Sequence, residues 1–212
     1  MSPAPSLVTI TASGGDASVE RALCIATDLS AVGFTVQILA FDDFAARVNS
    51  SGVLFCSAPG DLAAFDASVP GTIAANRYLA SAVSGMPMTL DARLRDSTMI
   101  VMCDEHPLIP SIAEARGLPI YRVPVVAGKE QLGSGGFTGW LESIRLWHAV
   151  RGPVNDMRMF LGLHDFASPR SYRRSISRIP VFTLSSIVAL KPHDSSATAS
   201  AVQAQPNHRL SA

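Results

Sequence analysis

The sequence predicts an α/β protein, a Rossmann-like doubly wound parallel sheet, on three observations. Apolar runs of strand length alternate with stretches of helical periodicity. The first forty residues hold a complete strand–helix–strand unit, and a second unit follows near the middle of the chain. Hydrophobic residues make up 48% and charged residues 16% of the 212 positions, enough for an extensive core.

Leu7 to Ala12 reads as a buried strand and Ser13-Gly14-Gly15-Asp16 as a tight turn. Val19 to Val32 reads as a helix closed by Gly33, and Phe34 to Ala40 as a second strand. Such a unit sets its strands parallel, with the crossover helix covering one face. Its first turn lies outside the carboxyl end of a strand, where open α/β sheets bind ligands. Asp42 to Asn49 predicts a short helix ending at Ser50-Ser51-Gly52, and Val53 to Cys56 a third strand. Ala58-Pro59-Gly60-Asp61 breaks that strand. Leu62 to Ser84 is loosely helical and interrupted by Pro70-Gly71, with Ala74, Ala75, Tyr78, Leu79 and Ala82 on one face.

Ser97 to Cys103 is the clearest later strand, ending in a run suited to the inside of a parallel sheet. Asp104-Glu105-His106-Pro107 forms its C-terminal loop. Ile109 to Arg116 predicts a helix stopped by Gly117, and Pro119 to Val125 another strand. Gly133 to Gly136 reads as a flexible loop. An amphipathic helix follows, carrying Trp140, Leu141, Ile144, Leu146, Trp147 and Val150. Gly152-Pro153 is expected to end it, and Val154 to Leu161 to start another. Arg170 to Arg178 is basic, and Ile179 to Leu184 predicts a final strand. One domain over 1–194 and a disordered tail over 195–212 are expected.

Lys plus Arg and Asp plus Glu each number 17, so net charge offers no case for a nucleic-acid partner. Cys24, Cys56 and Cys103 lie far apart in apolar runs, which predicts buried, reduced thiols in a cytoplasmic protein. No Cys/His cluster has metal-ligand spacing; His148, His164, His193 and His208 receive no role. The N-terminus lacks the pattern of a signal peptide, and no apolar run is long enough to span a membrane.

Six passages, in order, resemble one family. Ser13-Gly14-Gly15-Asp16 follows a first strand, and Ala31 to Val36 resembles a junction often written AAGHEV. Ser51-Gly52-Val53-Leu54-Phe55 with Ala58-Pro59-Gly60-Asp61 resembles AGLEF…LPGD, and Ala113 to Pro119 resembles AEALGIP. Gly152 to Arg158 with Leu161-Gly162-Leu163 resembles GPINRLR…LGL. Ile179 to Phe182 and Ser185 to Asp194 resemble VPVLYAFSPAVLPRPPDW. From about Ser6 to Asp194 the chain resembles the N-terminal half of a GT-B glycosyltransferase, in the sterol- and antibiotic-glycosyltransferase branch.

That resemblance implies an acceptor-binding lobe, which transfers a hexosyl group from a nucleotide sugar to a lipid, sterol or natural product. The donor lobe of such enzymes carries a His/Gly-rich phosphate motif, and no HxGxGT-like segment stands here. A separate donor-binding chain is therefore the implied partner, with a UDP- or dTDP-sugar as co-substrate only in its presence. No cofactor and no metal are implied. A non-catalytic acceptor-binding or regulatory module, or a truncated remnant, are the alternatives. A stand-alone Rossmann oxidoreductase is disfavoured: the first turn is not GxGxxG, so Asp42 and Asp43 carry little weight as ribose ligands.

The resembling enzymes read GxRGDVxP at the first turn, and that acid assists acceptor deprotonation. Asp16 matches it because Gly15-Asp16 reproduces the dipeptide, although the family's Arg and Pro are absent. Aligned from the helix, Ser18 takes that position instead. Either residue has helix N-capping as its alternative. Gly14, Gly15, Ser18 and His106 are the candidate acceptor-binding residues, and His106 is also a candidate base or a surface loop histidine. Trp140 and Trp147 read as core or interface residues. Arg170, Arg173, Arg174 and Arg178 read as a solvated linker, or as a contact with anionic lipid at a membrane periphery.

Overall fold

The computed structural model describes residues 6–68, 72–83, 87–123 and 137–181. Strands β1 (Leu7–Thr11), β2 (Thr35–Ala40), β3 (Leu54–Ser57), β4 (Met99–Met102) and β5 (Ile120–Arg122) form one parallel sheet in the order β3-β2-β1-β4-β5. The Rossmann-like class is thus met. Helices are α1 (Asp16–Ala31), α2 (Ala45–Ser50), α3 (Leu62–Ser68), α4 (Thr72–Val83), α5 (Pro87–Arg93), α6 (Ile109–Arg116), α7 (Phe137–Phe160) and α8 (Pro169–Ser177), with a short 3-10 turn at Asp42–Phe44.

The core follows the apolar pattern. Val8, Ile10, Ile38, Ile100 and Val101 are fully buried strand residues. Helix α1 covers the sheet with Val19, Ala22, Ile25, Ala26 and Leu29, spaced at three and four residues on one face. Gly33 ends that helix as expected. It sits at φ 99, with its N–H on Ser30 O and the Phe34 N–H on Leu29 O, a Schellman termination that a side chain would strain. Gly117 closes α6 by the same pair of bonds, from Gly117 to Glu114 and from Leu118 to Ala113.

Several expectations are corrected. Gly152-Pro153 does not separate two helices: α7 runs through Pro153. Trp147, Val150, Val154 and Met157 form a buried stripe across that point. Burying that stripe outweighs the one amide hydrogen bond a proline removes. Arg170 to Arg178 is not a solvated linker but the helix α8, started by a capping box at Ser168 and anchored by buried Tyr172. The buried face of α4 is Asn76, Leu79, Ala80 and Val83, while Ala74, Ala75, Tyr78 and Ala82 are only half-buried. Cys103 is buried, but Cys56 is half-buried and Cys24 exposed, because Cys24 falls on the solvent side of α1. Helix α5, unexpected from the sequence, is tied to α6 by an Arg116–Asp91 ion pair at 2.7 Å.

Strand β5 stops at Arg122, which bridges in parallel to Val181, so the expected final strand shows only as this bridge. Its remainder, the Pro70-Gly71 break, the Pro124-Val125 end, the Gly133–Gly136 loop and the 195–212 tail lie outside the described residues. Trp147 is core as expected, packing at 5.3 Å on Tyr172 and 6.3 Å on Phe166 (ring centroids). No helix among the described residues is long and apolar enough to cross a membrane.

Candidate functional site at the sheet's switch point

The chain leaves β1 through α1 to β2 on one side, then returns from β3 to place β4 on β1's other side. Between β1 and β4 the winding reverses, and the crevice outside their carboxyl ends is where such sheets bind ligands. Two segments meet there: Ser13-Gly14-Gly15 after β1, and Cys103 to His106 after β4.

Asp104 is the centre of this meeting. Ser18 Oγ donates to Asp104 Oδ2 at 2.7 Å, across 86 residues of sequence. The other oxygen, Oδ1, is buried with no hydrogen-bond partner. Burial pushes the Asp104 carboxyl up to about 6, against the pull of Ser18, of the Gly14 and Ser13 amides, and of Arg21. Arg21 itself donates from Nη1 to Cys103 O at 2.6 Å. Gly14 is what lets the turn approach so closely. A Cβ there would lie 2.9 Å from Asp104 Oδ2 and 3.0 Å from Ser18 Oγ. Gly15 holds φ 83 with ψ −164, a region that side-chain-bearing residues avoid.

The sequence-derived candidates divide accordingly. Gly14, Gly15 and Ser18 are brought together. Ser18 is buried and bonded to Asp104 rather than capping α1. Asp16 stands in the first turn of α1 without capping it; Gly15 is the N-cap residue. The Asp16 side chain is 81% exposed and paired with Arg47 at 3.0 Å, and Arg47 also pairs with Glu20. Asp104 was missed as a site residue. The available signal was an acid directly after the most apolar strand, at the edge where ligands bind.

His106 is no surface loop histidine. It is 4% exposed, and its Nδ1 accepts the Leu108 N–H at 3.2 Å. Burial lowers it to about 4, so the ring is neutral near pH 7. With Nδ1 accepting, the ring proton sits on Nε2, which makes His106 a donor rather than a base. Its ring lines a cavity of about 220 Å³ beyond the ends of β4 and β5. Met102, Leu146, Ile176 and Tyr172 form the apolar wall, and Glu105, Arg122 and Arg173 bring charge. No cluster of metal-ligating side chains occurs among the described residues.

No family model matches the sequence, and no curated protein was found to match it. Solved structures do share the fold. SsfS6, a glycosyltransferase from Streptomyces sp. SF2575 solved with thymidine diphosphate, superposes at TM-score 0.55 with 17% identity, covering 77% of this chain and 47% of its own. The spinosyn forosaminyltransferase SpnP gives 0.53 and 17%, covering 77% and 44%. The glycosyltransferase SnogD from Streptomyces nogalater gives 0.51 and 16%, covering 76% and 43%. The chain thus has the fold of one Rossmann-like portion of these glycosyltransferases and spans less than half their length.

Proposed function

We propose that this chain is the acceptor-binding half of a glycosyltransferase. It presents a lipid, sterol or natural-product hydroxyl to a nucleotide sugar held by a donor-binding lobe. The shared fold supports the class of reaction. The observation that carries the reading is the acid–hydroxyl pair Asp104–Ser18, packed against Gly14 at the switch point.

Inverting transfer forms a bond from the acceptor oxygen to the anomeric carbon, breaks the bond to the diphosphate, and needs a home for the hydroxyl proton. Asp104 suits that role. A carboxyl at about 6 is ionised at neutral pH yet more basic than an ordinary carboxylate, and since Oδ1 is buried, an acceptor proton comes to the carboxyl by way of Oδ2 and Ser18. Ser18 Oγ, bonded to Oδ2, both positions the carboxylate and relays the proton to it. Asp16, favoured by the family resemblance, is the competing acid; its exposure and its Arg47 pair support Asp104 over it. Gly14 lets the turn close on Asp104, Gly15 has open space where an acceptor can approach, and His106 donates a hydrogen bond from the cavity wall. Exposed Arg170, Arg174 and Arg178 support contact with an anionic membrane surface, which the chemistry does not require.

The test is sugar transfer on mixing the chain with a donor-binding lobe and a UDP- or dTDP-sugar. Asp104→Asn is expected to lower turnover by about 100-fold or more, and Asp16→Asn by only a few-fold. The reverse ranking reassigns the base to Asp16. Transfer unaffected by either substitution removes both acids from the reaction.

A further inference from the structure

The 220 Å³ cavity carries a chemical signature of its own. Arg122 lines it, and its Nε is buried without a hydrogen-bond partner. Neither Arg122 nor Arg173 forms an ion pair with a described residue. His106 adds a third donor, because its Nδ1 is taken by the Leu108 amide. Two guanidinium forks and an imidazole N–H are all donors, matched by a ligand group that only accepts.

Charge narrows the choice. Glu105 lines the same cavity, so among its described lining residues two cationic groups and one anionic group leave room for a single negative charge. A doubly charged phosphate monoester would meet the Glu105 carboxylate unpaired. Met102, Leu146, Ile176 and the Tyr172 ring call for an apolar or aromatic body. The volume lies below the ~300–1,000 Å³ of drug-sized sites, so that body is compact.

We infer that this cavity binds a compact aromatic or aliphatic monocarboxylate, its carboxylate gripped by Arg122 and its hydrocarbon body laid against Met102, Leu146 and Ile176. The inference deepens the acceptor-half reading and rests on it only in taking this ligand to be the acceptor.

Titration calorimetry on the full chain tests it without donor or partner, at about pH 8, where phenyl phosphate is a dianion. The probes are 4-hydroxycinnamate, its uncharged amide and phenyl phosphate. The carboxylate is expected to bind at least about tenfold more tightly than the amide, and phenyl phosphate no more tightly than the carboxylate. Arg122→Met should erase the preference for carboxylate over amide, with circular dichroism checking the fold. Arg173→Met, on the exposed side of α8, should weaken the preference even if the Arg122 variant fails to fold. Glu105→Gln should improve phenyl phosphate selectively. Equal affinity for acid and amide, no binding of any probe, a preference for the phosphate, or an unchanged preference in both arginine variants overturns the inference. Carboxylate binding without sugar transfer in any mixture overturns the glycosyltransferase reading instead. Transfer to neutral acceptors without carboxylate binding overturns this one alone.

Discussion

Asp104 holds its carboxyl at about 6 against an ordinary 3.8, and that displacement has a direction in stability. A carboxyl raised by folding favours the folded state while protonated. Its contribution is full below about 3.8 and is lost as pH rises through about 6. At 1.36 kcal/mol per pH unit the loss amounts to roughly 3 kcal/mol. His106, lowered to about 4, works oppositely: its contribution is present above 6.5 and lost as pH falls through about 4. Comparing Asp104→Asn with the parent cancels the histidine. The variant should gain stability relative to the parent as pH climbs from about 4 to 8, by up to roughly 3 kcal/mol, read as melting temperature against pH. A gap that stays flat would mean the carboxyl is not destabilised by burial. Stabilisation joined to lost transfer is the behaviour of a strained functional group. Gly14 is the second residue-scale case. Gly14→Ala places a Cβ 2.9 Å from Asp104 Oδ2, so the Ser18 bond must stretch or the turn must move. About 1–3 kcal/mol of stability should be lost in urea melts, and the pH dependence assigned to Asp104 should shift with it. The sequence shows why Asp104 escaped notice: Ser18 is 86 positions away, and only the β1–β4 pairing joins them.

At the scale of elements, sequence signals worked where they reported local backbone demands and failed where packing decided. Gly33 and Gly117 were legible as helix stops because each sits at positive φ in a Schellman turn. Gly152-Pro153 carried the same kind of signal but lies inside α7, since a buried stripe from Trp147 to Met157 runs through it. Helix α5 had no periodic stripe to announce it and is held by tertiary bonds, from Arg116 to Asp91 and from Gln37 to Arg93 O. The α6–α7 contact shows such bonds at their strongest. Arg158 is 4% exposed, meets Glu114 through two bonds of 2.7 and 3.2 Å, and donates Nε–H to His164 O at 2.6 Å. Its guanidinium also lies 3.9 Å over the Phe166 ring. Arg158→Lys keeps the charge but loses the fork and the planar stacking. Both Arg158→Lys and Arg158→Met should cost about 2–4 kcal/mol in urea unfolding. A lysine variant as stable as the parent would show that charge alone holds the contact.

For the whole molecule, the carboxyl edge of the sheet decides which ligands fit. In dinucleotide-binding relatives of this architecture, the glycine turn after the first strand and the N-terminus of the first helix receive a diphosphate, through bare N–H groups and a positive helix end. Here the same place is occupied by negative groups. Asp104 lies beneath Gly14, and Asp16 stands in the first turn of α1. Gly14 in this turn makes room for the Asp104 carboxylate. A diphosphate brought to that turn would meet like charge, with Arg47 already paired with Asp16 and Glu20 and Arg21 already donating to Cys103 O. The chain alone is therefore expected to give no calorimetric signal with UDP-glucose or thymidine diphosphate at millimolar concentration. Asp16→Asn combined with Asp104→Asn should leave that null result in place if the donor site belongs to another lobe. Tight binding of either nucleotide by the parent chain would refute the division of labour, because the diphosphate would then have found donors within this lobe. Binding that appears only in the double variant would place a latent phosphate site in the β1–α1 turn, held shut by its own acids.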